Sequence, residues 1–174
     1  MADILEELKA RRSVRKYVDK PVPEELLEKI VEAGLYAPTG MGRQKAVILK
    51  ITDPETVRAL GKINGKIMGH DGMDAFYGAP VVLSVLSPKD VATAVYDGSS
   101  IISNMLNEAA SLGLGSCWIH RGKEQFETEE GRGILRKAGI DPDQYMGIDN
   151  VIVGYADGPI PKASPRKEGR VFSI

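Results

Sequence analysis

Cysteine is almost missing from this chain. Cys117 stands alone, so no disulfide can form within it, and only His70 and His120 join it as candidate zinc ligands, too few for a structural site. Charge of one sign is also missing. Twenty-three Lys+Arg against 24 Asp+Glu leave a net charge of −1, so no overall field draws the chain to nucleic acid or to anionic lipid. No apolar run approaches the ~18 residues that span a bilayer. The start, Met1 to Glu7, has neither the positive segment nor the apolar segment of a secretory leader. These absences predict a reduced, soluble, cytoplasmic protein with no nucleic-acid or membrane partner. What is present, 43% hydrophobic and 27% charged residues over 174 positions, suits one globular domain spanning 1–174.

Ile4, Leu5 and Leu8 predict a short helix from Asp3 to Ala10. Pro21 and Pro23 make the next stretch an extended connector, and Pro23-Glu24-Glu25 opens a second helix with acids at its positive end. Leu26, Leu27, Ile30, Val31 and Gly34 share its buried face, and Pro38 to Gly42 ends it in a loop. Ala46–Ile51 reads as a strand. Asp53-Pro54 starts a short helix through Leu60, and the glycines from Gly61 to Gly78 predict loop with at most short helical turns. Pro80–Leu86 is a second strand. A long helix rich in small residues follows from Val91 to Leu112, a central helix or a subunit contact. Ser116–Ile119 is a third strand, Lys123–Ala138 a charged helix, and Gly147–Tyr155 a fourth strand. The result is an α+β domain with a polar, proline-containing tail after Asp157.

Familiar catalytic patterns fail on inspection. Gly61 to Ile67 lacks the spacing and the hydroxyl of a phosphate loop, and Gly113-Leu114-Gly115 follows a helix instead of a strand. Cys117 and His120 lie three apart on a strand and so face opposite ways, which makes Cys117 a buried structural thiol. His70, Asp71 and Asp74 read as solvated loop groups, and no metal site is expected. What remains is basic. Arg11, Arg12 and Arg15 surround Ser13, and Arg166 with Lys167 forms a second group in the tail. Crowded guanidinium groups repel unless acids or an anion neutralise them, so a solvated basic turn and a phosphate site both fit the pattern.

In order, the motifs resemble the nitroreductase family. They are Arg11-Arg12-Ser13-Val14-Arg15-Lys16-Tyr17, Ala37-Pro38-Thr39-Gly40-Met41-Gly42-Arg43-Gln44, and Gly78-Ala79-Pro80 leading into the second strand. Asp97 heading the long helix, Leu112–Ile119 at its exit and Val153-Gly154-Tyr155 before a basic tail complete the set. The resemblance implies a mixed, mostly antiparallel central sheet flanked by helices, in an intertwined homodimer whose C-terminal tail lies on the partner. It implies FMN as cofactor and NAD(P)H as co-substrate, with nitroaromatics, quinones or similar small acceptors reduced in a ping-pong cycle. A flavin carrier or sensor without turnover, or a dehalogenase-like branch, is the alternative. By carry-over, Arg11, Arg12 and Ser13 hold the FMN phosphate and Arg166 with Lys167 closes over it. Arg15 lies near the flavin N1 and O2 edge. Pro38, Thr39 and Gly40 come from the partner, and Asn64 meets the ribityl or pyrimidine edge. Trp118 and Ile119 back the ring, and a backbone N–H of His120 or Arg121 donates to N5. No side-chain acid or base is implied. Gly42 in place of the frequent Asn and Lys45-Ala46 in place of the frequent Pro-Trp depart from the family's loop, so that loop's individual contacts do not carry over. The shortness of the chain, with little inserted where the family forms its lid over the flavin, implies an open, unselective site.

Overall fold

The computed structural model describes residues 3–174, so the Met1-Ala2 part of the leader reading lies outside the described residues. Asp3 opens α1 (Ile4–Ala10) by accepting the Leu5 N–H at 2.9 Å, and none of that helix is buried. The order continues through α2 (Glu24–Leu35), β1 (Val47–Ile51), α3 (Pro54–Ile67), β2 (Val81–Pro88) and α4 (Ala94–Ser111). It ends with β3 (Gly115–Ile119), α5 (Gly122–Glu127), α6 (Glu129–Lys137) and β4 (Tyr145–Gly154). No helix among the described residues is long and apolar enough to cross a membrane.

The strands form one sheet in the order β1-β2-β4-β3, and every ladder is antiparallel. A single parallel bridge, Ser13 to Ser116, adds the segment after α1 to its edge. Each face is covered, which explains the near-continuous apolar runs in antiparallel strands. Val81, Leu83, Val85, Val151 and Val153 pack with α2 and α4 residues such as Ile30, Ile102 and Met105. Val82, Leu86, Cys117, Ile119 and Ile152 pack on the other side with Leu60, Phe76, Phe126 and Leu135. Gly34 lets α2 and α4 meet: a Cβ there would stand 2.8 Å from Met105 Cγ.

Two expectations are corrected. The stretch after Leu60 is not loop, because α3 continues to Ile67. Gly61 and Gly65 are buried on the helix face that receives the 70–78 loop. An added Cβ would lie 2.0 Å from Asp74 Oδ1 at Gly61 and 2.1 Å from the Met73 carbonyl oxygen at Gly65. These glycines permit close packing and do not end the helix. The charged helix expected over 123–138 is two helices, because Thr128 adopts an extended backbone and caps α6 by accepting the Gly131 N–H at 3.0 Å.

Candidate functional site

The segment after α1 is fixed to the sheet by its backbone. Val14 N–H donates to Ser116 O at 2.9 Å, and Val18 N–H to Tyr155 O at 2.9 Å. The Tyr17 hydroxyl donates to Val14 O at 2.7 Å, and burial followed by the neighbouring Cys117 pushes its pKa up, so it remains a neutral donor. This brings Arg12 and Ser13 to the start of β3. Arg12 reaches back to the Arg11 carbonyl through Nη1, while its Nε is buried with no partner. The Ser116 hydroxyl is buried and unpaired too. Buried polar groups in this state are unusual.

The two basic groups at opposite chain ends meet here. A cleft of about 430 Å³ is lined by Leu8, Lys9, Arg12, Ala163, Ser164 and Arg166. The Arg166 guanidinium folds onto the Ser164 carbonyl, with Nη2 at 2.6 Å. Lys167 follows it on the exposed tail, Arg11 is half-buried and Arg15 is exposed. Among the described residues, none of Arg11, Arg12, Arg15, Arg166 and Lys167 has a carboxylate partner. The positive charge is therefore not neutralised from within the chain.

A second structure lies at the far end of β3. Trp118 is half-buried and Ile119 buried, and the chain then turns through His120, Arg121 and Gly122. Arg121 takes φ +76°, a conformation disfavoured for any residue with a Cβ, so the surroundings must impose it. They do so with several bonds. Asn64, which has no exposed surface, donates to the His120 carbonyl at 2.8 Å and accepts from Arg121 Nε at 3.2 Å. Asp149 Oδ1 accepts the Gly122 N–H at 3.1 Å, and its Oδ2 accepts Trp118 Nε1 at 2.7 Å and meets His120 Nδ1 at 3.1 Å. Gln125 and Asn150, both fully buried, extend the network to Ser84. The backbone N–H groups of His120 and Arg121 meet no protein acceptor among the described residues. The turn is thus a rigid pair of unspent donors.

Pro38, Thr39 and Gly40 lie elsewhere, at the N-terminus of α4. Asp97, nearly buried, accepts the Gly40 N–H at 2.9 Å and the Thr93 hydroxyl at 3.0 Å. A Cβ at Gly40 would sit 2.5 Å from Thr93 Oγ1, so glycine is required by this approach. No hydrogen bond among the described residues links this loop to Arg12 or His120.

A model of the nitroreductase family matches residues 8–155. The chain belongs to the nitroreductase family. Among its relatives, a Methanothermobacter thermautotrophicus protein named NADH dehydrogenase/NAD(P)H nitroreductase is 32% identical over 162 residues, covering 90% of this chain and 80% of the relative. A Bacteroides fragilis nitroreductase crystallised with bound FMN is 29% identical, with a TM-score of 0.90 over 100% of both chains. An FMN-dependent nitroreductase of Clostridium difficile is 28% identical, with a TM-score of 0.81 over 97% of this chain and 98% of that one.

The carboxylate and amides behind the turn, Asp149, Gln125 and Asn150, escaped the sequence reading. A signal was present: Asp149-Asn150 is a polar pair inside an otherwise apolar strand, and buried polar groups in such a setting need partners.

Proposed function

We propose that this chain is an NAD(P)H-dependent FMN oxidoreductase that reduces nitroaromatics, quinones or similar small acceptors by a ping-pong cycle, as an intertwined homodimer. The observation that carries the reading is the cleft shared by Arg12 and Arg166, whose charges lack internal partners and where Arg12 Nε is buried and unspent. Such a cleft suits a phosphate, which accepts forked guanidinium bonds. Ser13 bridges to Ser116 at one end of β3 and His120 follows its other end. Four residues of strand separate them by about 13 Å, so a phosphate and a ring system can be served at opposite ends of one elongated ligand.

The residues present fit FMN. Arg11, Arg12, Ser13, Arg166 and Lys167 would hold its phosphate, and Arg15 would stabilise negative charge at the pyrimidine edge. Trp118 and Ile119 would support the ring, with Asn64 holding the turn behind it. The free N–H groups of His120 and Arg121 would donate to the ring nitrogen and oxygen facing them. Pro38, Thr39 and Gly40 would wall the site from the partner subunit, held in shape by Asp97. When bound, FMN supplies two-electron chemistry between NAD(P)H and the acceptor. The FMN bound by the Bacteroides relative and the NAD(P)H in the Methanothermobacter protein's name support the same assignment.

The test is the absorbance spectrum of the purified protein, followed by anaerobic NADH and then NADPH. Flavin bands bleached by either donor are expected. A colourless protein that does not take up added FMN would overturn the reading.

A further inference from the structure

We propose that His120 delivers a proton to the acceptor and that Asp149 positions it for this. The proposal rests on the flavin reading of the site and adds to it a side-chain acid, which the motifs do not imply. Asp149 is buried to 9% side-chain exposure, whereas the His120 side chain beside it is 73% exposed. All three groups bonded to the carboxylate approach it as donors. The indole N–H of Trp118 and the backbone N–H of Gly122 can only donate, and Asp149 Oδ2 already serves the indole where His120 Nδ1 meets it. The carboxylate therefore holds the imidazole proton on Nδ1, and the ring's second nitrogen, Nε2, has no hydrogen-bond partner among the described residues, on a side chain that is largely exposed.

The position of this ring is fixed. The His120 carbonyl is anchored by Asn64, and the adjoining turn is held in a conformation that Arg121 adopts only under constraint. Among the described residues, the hydrogen bonds to this turn from α3 come from the neutral Asn64 side chain, and those from α5 are made by backbone, Gly122 N–H to Asp149 and Gln125 N–H to the Arg121 carbonyl at 2.9 Å. The Arg121 guanidinium donates through Nε to Asn64 Oδ1. Among the described residues, Asp149 is the sole hydrogen-bonding partner of the ring. A histidine needed only to satisfy a buried carboxylate would gain from burial, yet this side chain stays largely exposed next to two unspent backbone donors.

The chemistry balances. Reducing a quinone to a hydroquinone takes two electrons and two protons, and a hydride brings both electrons and one proton. Solvent water supplies a proton to Nε2 of the Nδ1–H ring, and this second proton leaves His120 Nε2 as the new O–H bond forms. The ring becomes neutral with its remaining proton on Nδ1 against Asp149, and water then reprotonates Nε2. A positioned acid accelerates such a step by about 10²–10⁴-fold over an unpositioned one.

The experiment compares menadione, which must gain protons, with ferricyanide, which takes only electrons. In FMN-loaded enzyme, His120→Gln should lose at least about tenfold more menadione turnover than ferricyanide turnover. Imidazole added to His120→Ala should restore part of that loss, and Asp149→Asn should show the same acceptor bias. Nitrogen-15 NMR of the imidazole should find the neutral ring protonated on Nδ1 in the parent and shifted towards Nε2–H in Asp149→Asn. FMN affinity of His120→Gln, followed by flavin fluorescence, separates loss of cofactor from loss of proton delivery. Equal loss with both acceptors, no rescue by imidazole, or an Nε2–H ring in the parent overturns the proposal. A parent that never takes up FMN overturns the flavin reading, and the proposal with it.

Discussion

Arg12 has a different standing from the arginines around it. Its Nη1 is used on the Arg11 carbonyl, its Nε is buried and unpaired, and the cleft it lines ends on Arg166. Replacing it by alanine removes a charged donor from the cleft proposed to hold the phosphate. Arg12→Ala should therefore weaken FMN binding by about 1.5–3 kcal/mol, the scale of a charge-assisted hydrogen bond. Fluorescence titration measures this, and unchanged affinity would return Arg12 to a purely structural role. Arg12→Lys should recover only part of the loss, since an ammonium cannot form the fork. At this scale the sequence was legible where partners are close along the chain, as in the Arg11–Arg15 cluster. Asp149 was not, because its role depends on the β3–β4 register, which sets Trp118 opposite Val151 and Ile119 opposite Asn150. Nothing local in Asp149-Asn150 announces that an indole and an imidazole will arrive from 30 residues upstream.

At the scale of elements, strands and helix faces followed from periodicity, and the exceptions come from the glycines of α3 and from the Thr128 cap that divides α5 from α6. A glycine lowers helix propensity by roughly 1 kcal/mol relative to alanine, so Gly61 and Gly65 read as breakers, yet the 70–78 loop packs against them. Gly65→Ala should destabilise the protein by about 1–3 kcal/mol, the usual cost of overfilling a packed contact. Gly133 in α6 has nothing within 4 Å of a built Cβ, and Gly133→Ala should stabilise by roughly 0.5–1 kcal/mol. Denaturant melts of the two variants should shift in opposite directions, and a shared direction would mean that helix propensity governs both sites. The cap of α3 adds a pH dependence. The Thr56 hydroxyl, then the Thr56 N–H, donates to Asp53 and holds its carboxyl below the usual range. A depressed folded pKa stabilises above the unfolded value of about 3.9 and is lost as pH falls through the folded one. Asp53→Ala should lower Tm near neutrality, and its difference from the parent should shrink in acid. A difference independent of pH would show that the charge contributes nothing.

On the scale of the whole molecule, the isolated chain leaves a great deal of apolar surface uncovered. Ile4, Leu5 and Leu8 on α1, Leu35 and Tyr36 at the end of α2, Met41, and Val95 and Tyr96 on α4 are all exposed, and Phe172 in the tail is 90% exposed. The 38–42 loop, held by Asp97, belongs to this same set of surfaces and has no bonded link to the rest of the candidate site within one chain. In the proposed homodimer a second copy would account for both facts, covering the apolar surface and bringing its own loop to the site. The sequence showed the ingredients of such a contact, a long helix rich in small residues and a proline-containing tail, while a symmetric contact leaves no periodic trace along one chain. In the proposed dimer the tail would have two roles, since Arg166 lines the cleft assigned to the phosphate and the exposed Val171 and Phe172 would be covered by the second copy. Ending the chain after Asp157 should therefore release FMN and loosen the dimer together. Sedimentation velocity and the flavin-to-protein absorbance ratio of the truncated protein measure the two effects separately. A dimer that persists without flavin would limit the tail to the phosphate, and a truncated protein that remains dimeric and yellow would remove it from both roles.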